Sequence, residues 1–256
     1  MHLYQALHLQ EQVGINMPNT YFQFKQFIIH QDHCAMKVTT DGCLFGAWCS
    51  NEIQNSIVEI ENVLDIGCGT GLLSLMVAQK NDITIDALEI DKDAALQATE
   101  NIASSPRKNR ITIIQADVLQ WKSNKKYDCI ISNPPFYETE LKSGKRTKDI
   151  AHHDEGLRLS DLLLYIKNHL TTSGAFYLLL PAKREADIEN LFERNHFHVR
   201  KKVWVKQSTS HTPFRLMIKG GNSKGEIITE EIAIKNENNE YSPVFHTLLK
   251  NYYLYL

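Results

Sequence analysis

The run Leu64-Asp65-Ile66-Gly67-Cys68-Gly69-Thr70-Gly71-Leu72 constrains this chain more than any other stretch. Apolar, strand-like residues lead into three alternating glycines and then into a helical pattern. Glycine tolerates positive φ and lets backbone approach a ligand closely, and the helix that follows presents N–H groups without internal partners. Such a strand–turn–helix unit belongs to open α/β sheets, whose ligands sit at the carboxyl ends of the strands. The spacing is GxGxG with an acid ahead of it, not GxGxxG. Asp65 would repel a pyrophosphate but attract a cationic group.

The rest of the chain repeats the alternation. Strands are expected at 62–66, 83–88, 111–115, 127–132 and 175–180, with helices over 72–79, 91–103, 157–170 and 183–194. Two further strands, 197–206 and 212–219, are separated by the short Ser/Thr-rich stretch 207–211 and suit an antiparallel terminal hairpin. The pattern predicts a Rossmann-like α/β fold: a mainly parallel seven-stranded sheet with helices on both faces. Residues 21–29 alternate aromatic and polar side chains like a small hairpin. A last strand at 227–234 and a helix over 243–253 complete the additions. One domain is expected over 17–256, with additions at 17–60, the core sheet at 61–220 and a C-terminal strand and helix at 221–256. Residues 1–16 lack the features of a signal peptide and are expected to be a peripheral extension, with Met17 the more natural start.

Acids recur at the ends of successive strands. Glu89, about twenty residues past the glycines, is placed to accept from both hydroxyls of a ribose, and Asp117 from an adenine amino group. With Asp65 facing a cationic methionine portion, this set predicts S-adenosylmethionine as cofactor. For each acid alone, capping of the next helix is the plainer reading.

The fourth strand ends in Asn133-Pro134-Pro135-Phe136, with Tyr137 next. An exocyclic amine is a poor nucleophile because its lone pair is delocalised. The Asn133 side-chain oxygen and the Pro134 carbonyl can hold its two N–H groups and favour a pyramidal nitrogen, while the prolines fix the turn. Phe136 can stack on a flat, unstacked base. Rate would come from orientation and charge complementarity, without a general base.

Bulk composition limits the partners. The net charge of −2 rules out a generally basic nucleic-acid binder, so RNA contact must come from local patches. Two are present: Lys142, Lys145, Arg146 and Lys148, and then Arg200, Lys201, Lys202 and Lys206. Five cysteines without CxxC spacing argue against a disulfide framework or a metal site and for reduced thiols in the cytoplasm. His152 and His153 have no nearby ligand set that would complete a metal centre. The longest apolar runs, such as 175–181, are far shorter than a membrane span.

These motifs resemble the amino-methylating class I methyltransferases, and the stretch from His33 to Trp48 (HCAMKVTTDGCLFGAW) narrows the likeness. It is similar to the MKVGTDGxLLGAW segment of the bacterial tRNA1(Val) adenine-37 N6-methyltransferases. Phe22 to Phe27, Arg146 to Leu159 and the ending from Tyr241 are similar too, so the resemblance spans about residues 18–256. It implies methylation of adenine N6 in tRNA, most specifically adenine 37. It also implies that Lys37, Thr39 and Asp41 lie over the cofactor and that Gly67, Gly69, Gly71, Glu89, Asp117 and Asn133 line it. The basic loop after the NPPF turn, with Tyr137 beside it, would then grip RNA. One departure is Thr39-Thr40 where the family has glycine-threonine, and a threonine has less backbone freedom there. Three other readings remain open at this point: a protein glutamine N5-methyltransferase, a nicotinamide-dependent dehydrogenase, and an inactive RNA-binding relative.

Overall fold

The computed structural model describes residues 19–135 and 157–256. The expected strand–helix alternation is present. In chain order, β1 (Tyr21–Gln23) and β2 (Ile28–His30) form a small antiparallel hairpin, followed by α1 (Thr40–Gln54). Then come β3 (Asn62–Ile66), α2 (Leu72–Lys80), β4 (Thr84–Glu89), α3 (Lys92–Ala103), β5 (Ile111–Gln115) and β6 (Tyr127–Ser132). After the undescribed segment follow α4 (Leu159–His169), β7 (Leu170–Pro181), a 3-10 turn (Ala182–Arg184) and α5 (Glu185–Arg194). The chain closes with β8 (His198–Ser208), β9 (Pro213–Gly221), β10 (Ile228–Lys235) and α6 (Pro243–Leu249).

The large sheet has the order β10-β8-β9-β7-β6-β3-β4-β5, with β9 antiparallel to both neighbours and every other pairing parallel. Among the described residues it therefore has eight strands where seven were expected. The segment read as a terminal addition, β10, pairs parallel to β8 and extends the sheet. The chain lays down β3, β4 and β5 toward one edge and then returns to place β6 on the other side of β3. That reversal opens a crevice beyond the carboxyl ends of β3 and β6.

Alternation along each strand divides the core into two layers. Val63, Cys129, Ile131, Tyr177, Leu179 and Met217 point to the face covered by α1, α2, α3 and α6. Leu64, Ile130, Phe176, Leu178, Leu216 and Ile218 point to the face covered by α4 and α5. Strands apolar on both faces are what a covered parallel sheet requires. At the β7–β9 pairing Gly220 faces Phe176, and a Cβ there would stand 2.3 Å from the ring. On the other face Gly46 lets α1 approach α2, since a Cβ would come within 2.7 Å of the Met76 sulfur. The hairpin β1–β2 is held by Phe22 and Phe24 packing with Tyr253, by Phe27 stacking on Phe24, and by the Lys25 N–H donating to the Tyr252 carbonyl at 2.7 Å.

Candidate functional site

The glycine turn between β3 and α2 uses its glycines as their conformation demands: Gly67, Gly69 and Gly71 have φ of 72°, 53° and 80°. The N–H groups of Gly67 and Cys68 both donate to the Leu88 carbonyl at 2.9 Å, which ties the turn to the end of β4. A Cβ added at Gly67 or Gly69 would meet no protein atom within 4 Å. The space over the turn is open, so a flat or extended ligand can lie against bare backbone there.

Glu89 closes one side. Its Oε2 accepts from the Gly69 N–H at 2.8 Å and its Oε1 from the Asp91 N–H at 2.9 Å. A carboxylate offers about four acceptor positions, so Glu89 is fixed in place by backbone and keeps capacity for two ligand hydroxyls. Asp117 is held similarly, Oδ1 by the Leu119 N–H and Oδ2 by the Gln120 side chain, both at 2.9 Å. It caps its own turn, the plainer role for such an acid, and retains acceptor positions beyond it.

Asp65 is fully buried behind the turn. Ser74 Oγ donates to its Oδ2 at 2.7 Å, and Oδ1 has no hydrogen-bond partner among the described residues. Burial, with a smaller contribution from the Glu89 charge, pushes its carboxyl from the ordinary 3.8 up to about 7 against the pull of Ser74. An acid so poised gains from a nearby cation. The open backbone, the anchored Glu89 and the half-satisfied Asp65 together fit S-adenosylmethionine: hydroxyls for Glu89 and positive charge toward Asp65.

The segment upstream of α1 is built into the same region. Asn101 on α3 is buried; its Oδ1 accepts from the His30 N–H, and its Nδ2 donates to the carbonyls of His30 and Thr70 at 2.9 and 3.0 Å. One side chain thus joins the end of β2 to the glycine turn. Gln31, also buried, accepts from the Val38 N–H through its side chain and from Lys37 Nζ through its carbonyl. Thr39 is the N-cap of α1, with Oγ1 accepting from the Gly42 N–H at 3.2 Å. Asp41 forms an ion pair with Arg215 of β9 at 2.7 Å. The His33 N–H donates to Gln97 Oε1 of α3 at 3.4 Å, and Cys34 next to it is buried, with burial followed by the Glu89 charge raising its thiol to about 11.

Across the crevice, β6 lies next to β3 with Ser132 opposite Ile66, so Asn133 follows β6 where Gly67 follows β3. Asn133 is half-buried, Pro134 buried and Pro135 exposed. The structure thus brings the three glycines, Glu89 and Asn133 to one crevice, with Asp65 buried behind the glycine turn and Asp117 at the end of the neighbouring β5. Lys37 and Thr39 have local partners of their own. Phe136, Tyr137, Lys142, Lys145, Arg146, Lys148, His152 and His153 lie outside the described residues.

The three lysines of the second basic patch prove to be neutralised. Lys201 pairs with Glu52 and Glu230, Lys202 with Glu185 and Glu189, and Lys206 with Glu231. Burial works against the Lys202 charge, but its two glutamates hold the ammonium above its ordinary value. Alternation along β8 sends these lysines to acids on different neighbouring elements, which adjacency in sequence does not reveal. Asn101 and Ser132 were likewise missed, because each acts on backbone far along the chain. Among the described residues no cluster of His, Cys, Asp and Glu is arranged to hold a metal, and no helix is long and apolar enough to cross a membrane.

Residues 51–201 match the methyltransferase small domain family. Over 94% of its length the chain is 37% identical to the whole of a tRNA1(Val) (adenine(37)-N6)-methyltransferase of Bacteroides thetaiotaomicron. It is 38% identical over 92% of its length to 98% of the protein so named from Dyadobacter fermentans. Among solved structures, a predicted O-methyltransferase of Agrobacterium tumefaciens superposes with a TM-score of 0.61 at 14% identity, covering 82% of this chain and 95% of that one. The ribosomal protein L11 methylase of Lactobacillus delbrueckii does so at 0.54 and 17%, covering 77% and 84%. These two speak for the fold; the identities across nearly full length speak for more, and the chain belongs to the tRNA1(Val) (adenine(37)-N6)-methyltransferase family.

Proposed function

We propose that this protein transfers the methyl group of S-adenosylmethionine to N6 of an adenine in tRNA, with adenine 37 of tRNA1(Val) as the target. The observation that carries the reading is the pairing of Ile66 with Ser132, which sets the Asn133-Pro134 turn beside the glycine turn. When bound, S-adenosylmethionine supplies an electrophilic methyl on a positively charged sulfur.

The residues divide the work. Gly67, Gly69 and Gly71 let backbone lie against the cofactor, Glu89 accepts from its ribose and Asp117 from its adenine, while Asp65 complements its positive end. Lys37 and Thr39 border the same volume from above. Asn133 Oδ1 and the Pro134 carbonyl accept the two N–H groups of the target amine, which directs the nitrogen lone pair at the methyl. Phe136 stacks on the extruded base. The nitrogen grows acidic as it is alkylated, so its proton leaves without a dedicated base, and orientation supplies most of the rate. Tyr137, Lys142, Lys145, Arg146 and Lys148 hold the RNA near the crevice, chiefly through phosphates. Residues 17–256 act as one methyltransferase domain, and the protein works in the cytoplasm.

The test is incubation with radiolabelled S-adenosylmethionine and tRNA from a strain lacking this modification, followed by digestion to nucleosides. Label in N6-methyladenosine, absent with Asn133→Ala, is the expected result. Cofactor binding without label in any RNA would refute the tRNA reading and favour a protein amide substrate.

A further inference from the structure

Where β6 leaves the sheet, its ladder with β3 has to stop. The register runs from Val63 opposite Cys129 to Ile66 opposite Ser132, and beyond Asn133 the chain offers Pro134 and Pro135, which have no N–H to donate. The last tie is a side chain: Ser132, fully buried, donates its hydroxyl to the Ile66 carbonyl at 2.7 Å. A serine is otherwise out of place after Cys129, Ile130 and Ile131, since a buried hydroxyl without a partner is destabilising.

The two residues so joined each precede a working part of the site. Ile66 precedes Gly67, whose turn is held on its far side by the Leu88 carbonyl. Ser132 precedes Asn133. We infer that Ser132 is a positioning residue for methyl transfer: its hydroxyl fixes the distance and angle between the turn that carries the methyl donor and the Asn133-Pro134 turn that carries the amine. The inference rests on the reading of Asn133 as the group that holds the amine. Ser132 touches neither reactant and acts through Asn133, so its loss should appear in turnover and not in binding. A misplacement of about 1 Å can lower a rate by about a hundredfold, and loss of one of several restraints should do less.

The full-length protein, with Ser132→Ala, Ser132→Cys and Asn133→Ala, is assayed for kcat and for KM toward both S-adenosylmethionine and tRNA, well below each variant's Tm. Expected for Ser132→Ala is a fall in kcat of about tenfold with both KM values within about twofold. Ser132→Cys keeps the volume but offers only a weak donor, and should fall in the same direction. It carries the test if the alanine variant does not fold. Gly220→Ala, remote from the crevice, serves as the control that loses stability without losing kcat. Wild-type kcat in both Ser132 variants beside an inactive Asn133→Ala would overturn the inference and leave the reading of the site intact. Activity retained in Asn133→Ala would take down that reading and this inference with it.

Discussion

Three glycines with positive φ stand in one turn, yet they should respond differently to the same substitution. Alanine at Gly69 or Gly71 must adopt φ of 53° or 80°, and a left-handed residue with a Cβ costs roughly 1–2 kcal/mol. For a domain of this size about 1 kcal/mol lowers Tm by roughly 2–4 °C, so both variants should melt roughly 2–8 °C lower. Their surroundings then separate them. A Cβ at Gly71 would touch Ile102 Cδ1 at 3.4 Å and Ala98 Cβ at 3.6 Å, ordinary contacts inside the protein. At Gly69 it would enter the open volume over the turn, with no protein atom within 4 Å. If the cofactor lies there, the new methyl lifts it off the backbone and away from Glu89. Calorimetric titration with S-adenosylhomocysteine should show at least about a tenfold loss of affinity for Gly69→Ala, about 1.4 kcal/mol, and less than about threefold for Gly71→Ala. Thermal melts run alongside confirm that both pay a similar strain. Equal losses of affinity in the two variants, or none at Gly69, would refute the placement of the ligand against bare backbone.

The raised carboxyl of Asp65 gives a pH test. Its folded value of about 7 lies above the ordinary 3.8, so between roughly pH 4 and pH 7 the folded chain keeps a proton that the unfolded chain has lost, and stability falls as pH rises through that window. The Tm advantage of wild type over Asp65→Asn should shrink from pH 5 to pH 8 without ligand; a constant difference would contradict the burial argument. Gly220→Ala places a Cβ 2.3 Å from the Phe176 ring, and overpacking of this kind should lower stability by roughly 1–3 kcal/mol in denaturant titration, whereas unchanged stability would mean that β7 and β9 yield easily. Lys201→Ala and Lys202→Ala should leave tRNA affinity and its salt dependence nearly unchanged, because acids already neutralise both lysines. Lys145→Ala or Arg146→Ala should lower the slope of log K against log salt by about one; the reverse pattern would move the RNA to the β8 side.

What the sequence disclosed follows from where each signal is encoded. Strands β6 and β7 are buried on both faces over residues 129–131 and 175–180, so their apolar runs are continuous and easily read. The same logic hid α1. Gly42 through Ser50 are all buried, and a helix covered on every side has no polar stripe to mark its period. Its glycines and cysteines also suggest a loop until Gly46 is seen to admit Met76. β10 was legible as a strand but not as an eighth member of the sheet, because its partner β8 is fixed by packing and not by a hairpin turn.

The candidate site divides along the same line. Glycines at a strand–helix turn and an acid at the next strand end announce themselves, since the requirement is met within a few residues. Asn101 and Ser132 do not, because their partners are main-chain groups 31 to 71 positions away, and nothing about an asparagine in a helix or a serine ending a strand predicts that. Thr39 shows how a local rule can mislead in the other direction. A threonine where the resembled motif has glycine suggests lost backbone freedom, but φ here is −119°, an extended conformation open to any residue. The freedom was never needed. The hydroxyl instead caps α1 through the Gly42 N–H, and an N-cap threonine is preferred to an alanine by roughly 1 kcal/mol. What reads as a departure from the motif thus fastens the start of the helix that carries Asp41 to its pairing with Arg215.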